Sequence, residues 1–265
     1  MKSLRFHARL FALYFSQYAK TRLEYRVDFF TSVFASFAGT AASFAVVLLL
    51  FSRFPHLGGW TYPEIVFLYG FSLLPFGLFN VIAVNLWEFS SRYLTEGRFD
   101  RILLRPVSPL FQILFETFRL ESLQEVVTGS LAIAWAVRQL PEVSLLGLWL
   151  LPIWAVCGAV IYVSVFAILT AAGFWIEDRV GIAPPIFNLL SFGRYPLTIY
   201  DMKVRVLLSS LIPFAFASFY PTVLALGKAE FVPFFWAVPL VAAACLYSAV
   251  LIWRSGIKRY GSTGS

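Results

Sequence analysis

Between residues 88 and 109 the sequence reads Glu-Phe-Ser-Ser-Arg-Tyr-Leu-Thr-Glu-Gly-Arg-Phe-Asp-Arg-Ile-Leu-Leu-Arg-Pro-Val-Ser-Pro, a charged stretch set between two long apolar runs. Arg92, Arg98, Arg101 and Arg105 stand beside Glu96 and Asp100, with Phe99, Ile102, Leu103 and Leu104 interleaved. That spacing predicts a short amphipathic helix, started at Gly97 or Asp100 and stopped by Pro106, which restricts Arg105. Its chemistry is recognition rather than catalysis. An exposed apolar stripe of Phe99, Leu103 and Leu104, rimmed by guanidinium groups, suits docking into a partner. The plainer reading is a solvated cytoplasmic loop held inside by its arginines.

A second polar set lies within apolar runs: Asn80 and Asn85 before the charged stretch, and Glu116, Arg119, Glu121 and Glu125 after it. Charged groups inside a membrane face protein or water and carry function by default. Glu121 and Glu125 are four apart and so share a helix face; if they line a substrate path, a cationic amphiphile suits them better than an anionic lipid. The structural alternative is that Arg119 neutralises Glu116 near the headgroups and the acids merely begin an amphipathic helix. Asn80 and Asn85 likewise either face a polar cavity or bond between helices.

No catalytic constellation is present. The chain has no Walker-type phosphate loop and no serine elbow, and its two histidines, His7 and His56, are far apart. Cys157 and Cys245 sit in apolar stretches and read as small core residues. No catalytic residue, no metal site and no ATP hydrolysis are expected of this chain.

Composition says what must position these residues. Hydrophobic types make up 60% and charged types 13%, with mean hydropathy +0.78, which excludes a soluble globular protein. Several runs reach the roughly 20 residues that span hydrocarbon, and they are continuous rather than alternating, which selects helices over a barrel. The net charge of +7 sits mainly in flanks and one loop, so membrane orientation explains it and no nucleic acid is implied. Lipid contact accounts for most of the 29 phenylalanines.

The runs predict an all-α integral membrane protein with six transmembrane helices, at residues 29–51, 62–87, 111–138, 145–176, 180–200 and 231–253. Residues 1–28, with Leu4, Leu10, Phe11, Tyr14, Phe15 and Tyr18 among basic residues, read as an N-terminal interfacial helix, and no cleavable signal peptide is expected. Ser32, Ser36 and Thr40, beside Ala35, Gly39 and Ser43, predict a face that packs on protein. Pro75 and Gly77 predict a kink. Trp60 is placed as an interfacial anchor and Arg194 as an outer-surface residue that snorkels. Glu177, Asp178 and Arg179 mark a return to water. Segments 180–200 and 204–226 are both moderately apolar, and seven crossings would part the two basic termini. An even count keeps both in the cytoplasm, so 204–226, broken by Pro213 and Pro221, is read as a re-entrant helical pair before the last span. About fifteen of the 21 Lys and Arg residues then lie inside or at the inner interface.

The chain resembles the membrane (permease) subunit of an ABC transporter of the type 2 exporter class, within a bacterial branch of transport permeases. The likeness is carried by Leu-Glu-Tyr-Arg at 23–26, Gly-Gly-Trp at 58–60, Gly97 through Pro109, Phe-Gly-Arg-Tyr-Pro at 192–196, and Pro213 and Pro221. The class pattern of a glycine, an apolar pair and a proline falls on Gly97, Leu103-Leu104 and Pro106. The resemblance implies that 88–110 holds a coupling helix for an ATPase, formed by Gly97, Arg98, Phe99, Asp100, Arg101, Leu103, Leu104, Arg105 and Pro106. It implies a separate ABC ATPase subunit that binds ATP and Mg, and a second permease protomer, identical or a sister. It also implies the bacterial inner membrane, and export of a lipid-like, amphiphilic or xenobiotic substrate, as in multidrug efflux, by alternating access. A stand-alone secondary transporter or channel is the alternative; such a protein needs no docking helix.

The topology has a direct check. A cysteine placed at Ser262 should react with impermeant reagents only from the cytoplasmic face, and labelling from the outer face alone contradicts it.

Overall fold

The computed structural model describes residues 2–24, 26–53, 56, 58–87, 89–175 and 187–261. Tyr25, Glu88, Glu177 to Arg179 and the first part of the predicted fifth span, 180–186 with Pro184 and Pro185, lie outside the described residues. Helices are α1 (Lys2–Glu24), α2 (Arg26–Arg53), α3 (Tyr62–Trp87), α4 (Phe99–Leu103), α5 (Pro109–Glu116), α6 (Leu123–Gln139), α7 (Leu145–Ala171), α8 (Met202–Val206), α9 (Phe214–Ser218) and α10 (Val232–Ile257), and no strand occurs among the described residues.

Local chemistry fixes the ends of these helices. Glu64 reaches back over the start of α3 and accepts twice from Thr61: the Thr61 N–H donates to Glu64 Oε2 at 2.8 Å and its hydroxyl to the same oxygen at 3.0 Å. Ser144 caps α7 by accepting from the Gly147 N–H, and Asp201 caps α8 by accepting from the Val204 N–H. Pro109 occupies the first turn of α5, where its missing N–H costs nothing.

The core is built around α3, which is buried along nearly its whole length and continues through Pro75. It packs on α6, α7 and α9, while α10 packs on α7. Glycines set the α3–α6 approach. A β-carbon at Gly70 would lie 2.9 Å from the Gly129 carbonyl oxygen, and one at Gly77 would lie 2.9 Å from that of Ser122. With no hydrophobic drive between helices in lipid, such contact is what holds spans together.

Four helices are long and apolar enough to cross a membrane: Val27–Arg53, Tyr62–Thr95, Leu145–Phe174 and Ala229–Ile257. Met202–Leu211 and Phe214–Thr222 form a pair bent by 75° that makes a fifth if it is one span. Pro213 sits at that bend, where an amide without N–H ends a helix.

Three expectations are corrected. The span 111–138 is not one helix: α5 ends at Glu116, Thr117 is extended, and a short 3-10 turn, Leu120–Ser122, precedes α6. Glu116, Arg119 and Glu121 lie at this break, and Glu125 follows in the first turn of α6. The described part of 180–200 also lacks a long helix; it forms 3-10 turns at Leu189–Arg194 and Leu197–Ile199, interrupted by Pro196. Trp60 is 3% exposed rather than anchored in the interface: its Nε1 donates to Thr198 Oγ1 at 2.8 Å and Lys228 lies 4.4 Å over its ring. Lys228 in turn meets Glu64 at 2.6 Å, so one cation ties the loop before α10 to the start of α3.

On α2 the predicted small-residue face divides. Thr40 is buried and accepts from Gln124 Nε2 of α6 at 3.4 Å, whereas Gly39 faces open space. Phe30, Phe34 and Phe37 are exposed. The aromatic face of α1 meets protein, with Phe11, Phe15 and Tyr18 each packing edge-on against Phe118.

Replacing Gly129 by Val should lower the unfolding free energy by about 1–3 kcal/mol through overpacking. Gly39→Ala, with nothing within 4 Å, should leave thermal unfolding of the purified chain unchanged. Equal melting of the two variants contradicts the tight α3–α6 crossing.

Candidate functional site

After α3 the chain continues as a π-helical stretch, Phe89–Thr95, and turns at Gly97, whose φ of +68° suits glycine. Arg98 Nε meets Glu96 Oε2 at 2.8 Å across that turn, and α4 follows. Gln112 of α5 holds the return strap by donating from Nε2 to the carbonyls of Ile102, at 3.2 Å, and Val107, at 3.0 Å. The predicted short helix is therefore present, between a left-handed glycine and Pro106.

Its apolar stripe is not one surface. Phe99 is fully buried, packed against Phe89 at 5.8 Å, Phe174 at 5.3 Å and Tyr260 at 4.9 Å between ring centroids. Trp253 closes the cluster against Phe89 and Phe174. Leu104 is 86% exposed and Leu103 39%. At 100° per residue Leu104 stands about 140° around from Phe99, so one short helix cannot bury or expose both. This corrects the expectation of a jointly exposed stripe. Arg101, Arg105 and Pro106 are exposed beside the leucines. Tyr260 also faces Asp100; burial, and then that carboxylate, push its hydroxyl pKa up to about 12. A cavity of about 710 Å³ lies beside the helix, lined by Arg98, Arg101, Arg105, Glu96, Asp100 and Glu116 among others.

The intramembrane polar residues separate into two groups. Asn85 is 2% exposed, and its Nδ2 donates to the carbonyls of Ile113 at 2.7 Å and Thr117 at 3.4 Å. The Arg119 N–H donates to the Val81 carbonyl at 3.0 Å. These bonds satisfy backbone groups freed where α5 stops. Glu116 accepts from the Tyr93 hydroxyl at 2.5 Å and lies 3.8 Å from Arg92, rather than pairing with Arg119. Glu121 is buried and meets Arg119 at 3.7 Å. It stands in the 3-10 turn, outside the α-helix that carries Glu125, so the shared face expected of the two does not form.

Asn80 and Glu125 belong to the second group and line a cavity of about 330 Å³ with Phe76, Trp87, Phe187 and Arg119. Glu125 Oε2 is buried with no hydrogen-bond partner. Arg194 lies against the middle of α3 rather than at the outer surface: Nη1 donates to the Tyr69 hydroxyl at 3.2 Å, and the guanidinium sits 5.1 Å from the Phe76 ring centroid. Sequence reasoning missed this. Gly193 beside it was the available signal, since a β-carbon there would come within 2.7 Å of Ser218 Oγ.

The family model described as ABC-2 family transporter protein matches residues 37–264. No curated protein and no solved structure matches the chain.

Asn85→Leu should strand the carbonyls at the α5 break and cost about 1–3 kcal/mol of stability. The denaturant midpoint of the purified chain measures it; an unchanged midpoint would remove Asn85 from the role of capping the break.

Proposed function

The chain belongs to the ABC-2 family of transporter proteins, and from that premise we propose that it is the permease subunit of an ATP-driven exporter, with α4 as the helix that docks on a separate ATPase. The observation that carries this reading is the division of α4 into two faces. Leu104 stands outward and Leu103 is partly exposed at the edge of that face, an apolar contact rimmed by Arg101 and Arg105, the cation that interface hot spots favour. Phe99 points inward to rings near the ends of α3, α7 and α10. A push on the outer face reaches three spans through packed rings, and packed cores move as rigid units rather than deforming continuously.

In this reading the ATPase binds ATP and Mg and performs the hydrolysis, and the permease pairs with an identical or sister protomer in a bacterial inner membrane. Both termini lie in the cytoplasm, α1 rests on the inner leaflet, and two protomers form by alternating access a path for a lipid-like, amphiphilic or xenobiotic substrate. The exposed face of α2, including Gly39 and Phe34, offers area for lipid or for the second protomer.

The double substitution Leu103→Ala and Leu104→Ala should weaken association with the ATPase by about 2 kcal/mol, roughly thirtyfold. It should leave melting of the permease unchanged. Co-purification and transport in proteoliposomes supply the readouts. Parental binding and transport in the double variant would reduce α4 to a loop element.

A further inference from the structure

The cavity beside α6 combines groups that no backbone role uses up. Glu125 presents a buried carboxylate oxygen without a partner, with Phe76, Trp87 and Phe187 in the same wall. Carboxylate and aromatic rings together form the usual receptor for an ammonium group. Arg119 lines the cavity too; its Nε meets Glu121 at 3.7 Å, and its terminal nitrogens make no other ion pair or hydrogen bond among the described residues. A lone cation would be repelled by Arg119 and by Arg194, which sits over Phe76. A ligand carrying both signs answers the whole set.

We propose that this cavity binds the headgroup of a zwitterionic phospholipid, its ammonium against Glu125 and the aromatic wall, its phosphate on Arg119. Arginine forks match phosphate oxygens, and the Asn80 amide bonds Glu125 on the same wall and so fixes the carboxylate in place. The position fits a lipid rather than a soluble zwitterion. The cavity runs along the second half of α3, from Phe76 to Trp87 at its end, beside the start of α6, and so reaches toward the end of the bundle that also carries α4. Ser36 of α2 forms part of its rim, and the neighbouring Phe34 and Phe37 are exposed along α2, where acyl chains can lie. As a substrate class this site rests on the export reading; as a binding site it does not.

The test uses the full chain in phosphatidylglycerol nanodiscs, without ATP or ATPase, and radiolabelled lysophosphatidylcholine as probe. Binding should saturate, and unlabelled probe should displace the label about tenfold better than dodecyltrimethylammonium or dodecyl phosphate. Glu125→Gln and Arg119→Gln should each weaken binding by about tenfold. Displacement by either half-headgroup as effective as by the whole overturns the proposal, as does loss in Glu125→Gln alone, which would mark a bare cation site. Unchanged affinity in both variants overturns it too. If a variant does not fold, the competition on the parental chain decides. Binding with no ATP-driven transport of the probe would remove the lipid as cargo and leave the site standing.

Discussion

Hydrocarbon offers no partner to a backbone amide, so every interruption of a helix must be repaired from within the protein. The rest of this structure depends on one such repair. Between Glu116 and Leu123 the helical ladder stops, and Asn85 and the Val81 carbonyl of α3 take up freed groups on either side of the break. That fastening lets α5 lie apart from α6. It also sets Arg119, Glu121 and Glu125 beside α3, and it brings α6 close enough for Gly70 and Gly129 to touch. An unbroken helix from 111 to 138 would have carried the same charges along its length with no such support.

Two ends of the bundle are then closed by different chemistry. At the end that carries α4, aromatic rings from Phe89, Phe99, Phe174, Trp253 and Tyr260 form one cluster, joining elements far apart in sequence. At the opposite end of α3 a single lysine, Lys228, bridges Glu64 and the Trp60 ring. The first is large and apolar and suits transmission of force. The second combines that ion pair and ring contact with the Trp60–Thr198 hydrogen bond and the packing of Trp60 on Phe219.

Much of this was legible in the sequence where a physical signal is local. The apolar run at 62–87 became α3 with the same bounds, because continuous hydrophobicity defines it. Gly97 and Pro106 bounded the short helix because one tolerates positive φ and the other halts helices. Partnership was not legible. Phe99 and Leu104 look alike in sequence, and only the fold places Phe174 and Tyr260 over one of them. Arg194 carried an outer-surface reading because snorkelling is the ordinary fate of an arginine near a span end; its rings lie more than a hundred residues away, on Tyr69 and Phe76. The break at Thr117 was hidden for the same reason, since Asn85, which bonds its carbonyls, lies about thirty residues away, while in 187–200 the carbonyls of Phe192, Thr198 and Tyr200 are held by Tyr200 and Arg205 close in sequence.

The central claim is that α4 faces an ATPase with its leucines and the spans with its phenylalanine. Single cysteines at Leu104 and at Phe99, in a chain with Cys157 and Cys245 replaced, can be cross-linked in membranes that also contain the ATPase subunit. The account predicts a covalent adduct to the ATPase from Leu104→Cys that forms or fades with bound ATP, and none from Phe99→Cys. Adducts from Phe99→Cys with none from Leu104→Cys, or no adduct from any position between Arg98 and Arg105, would contradict it.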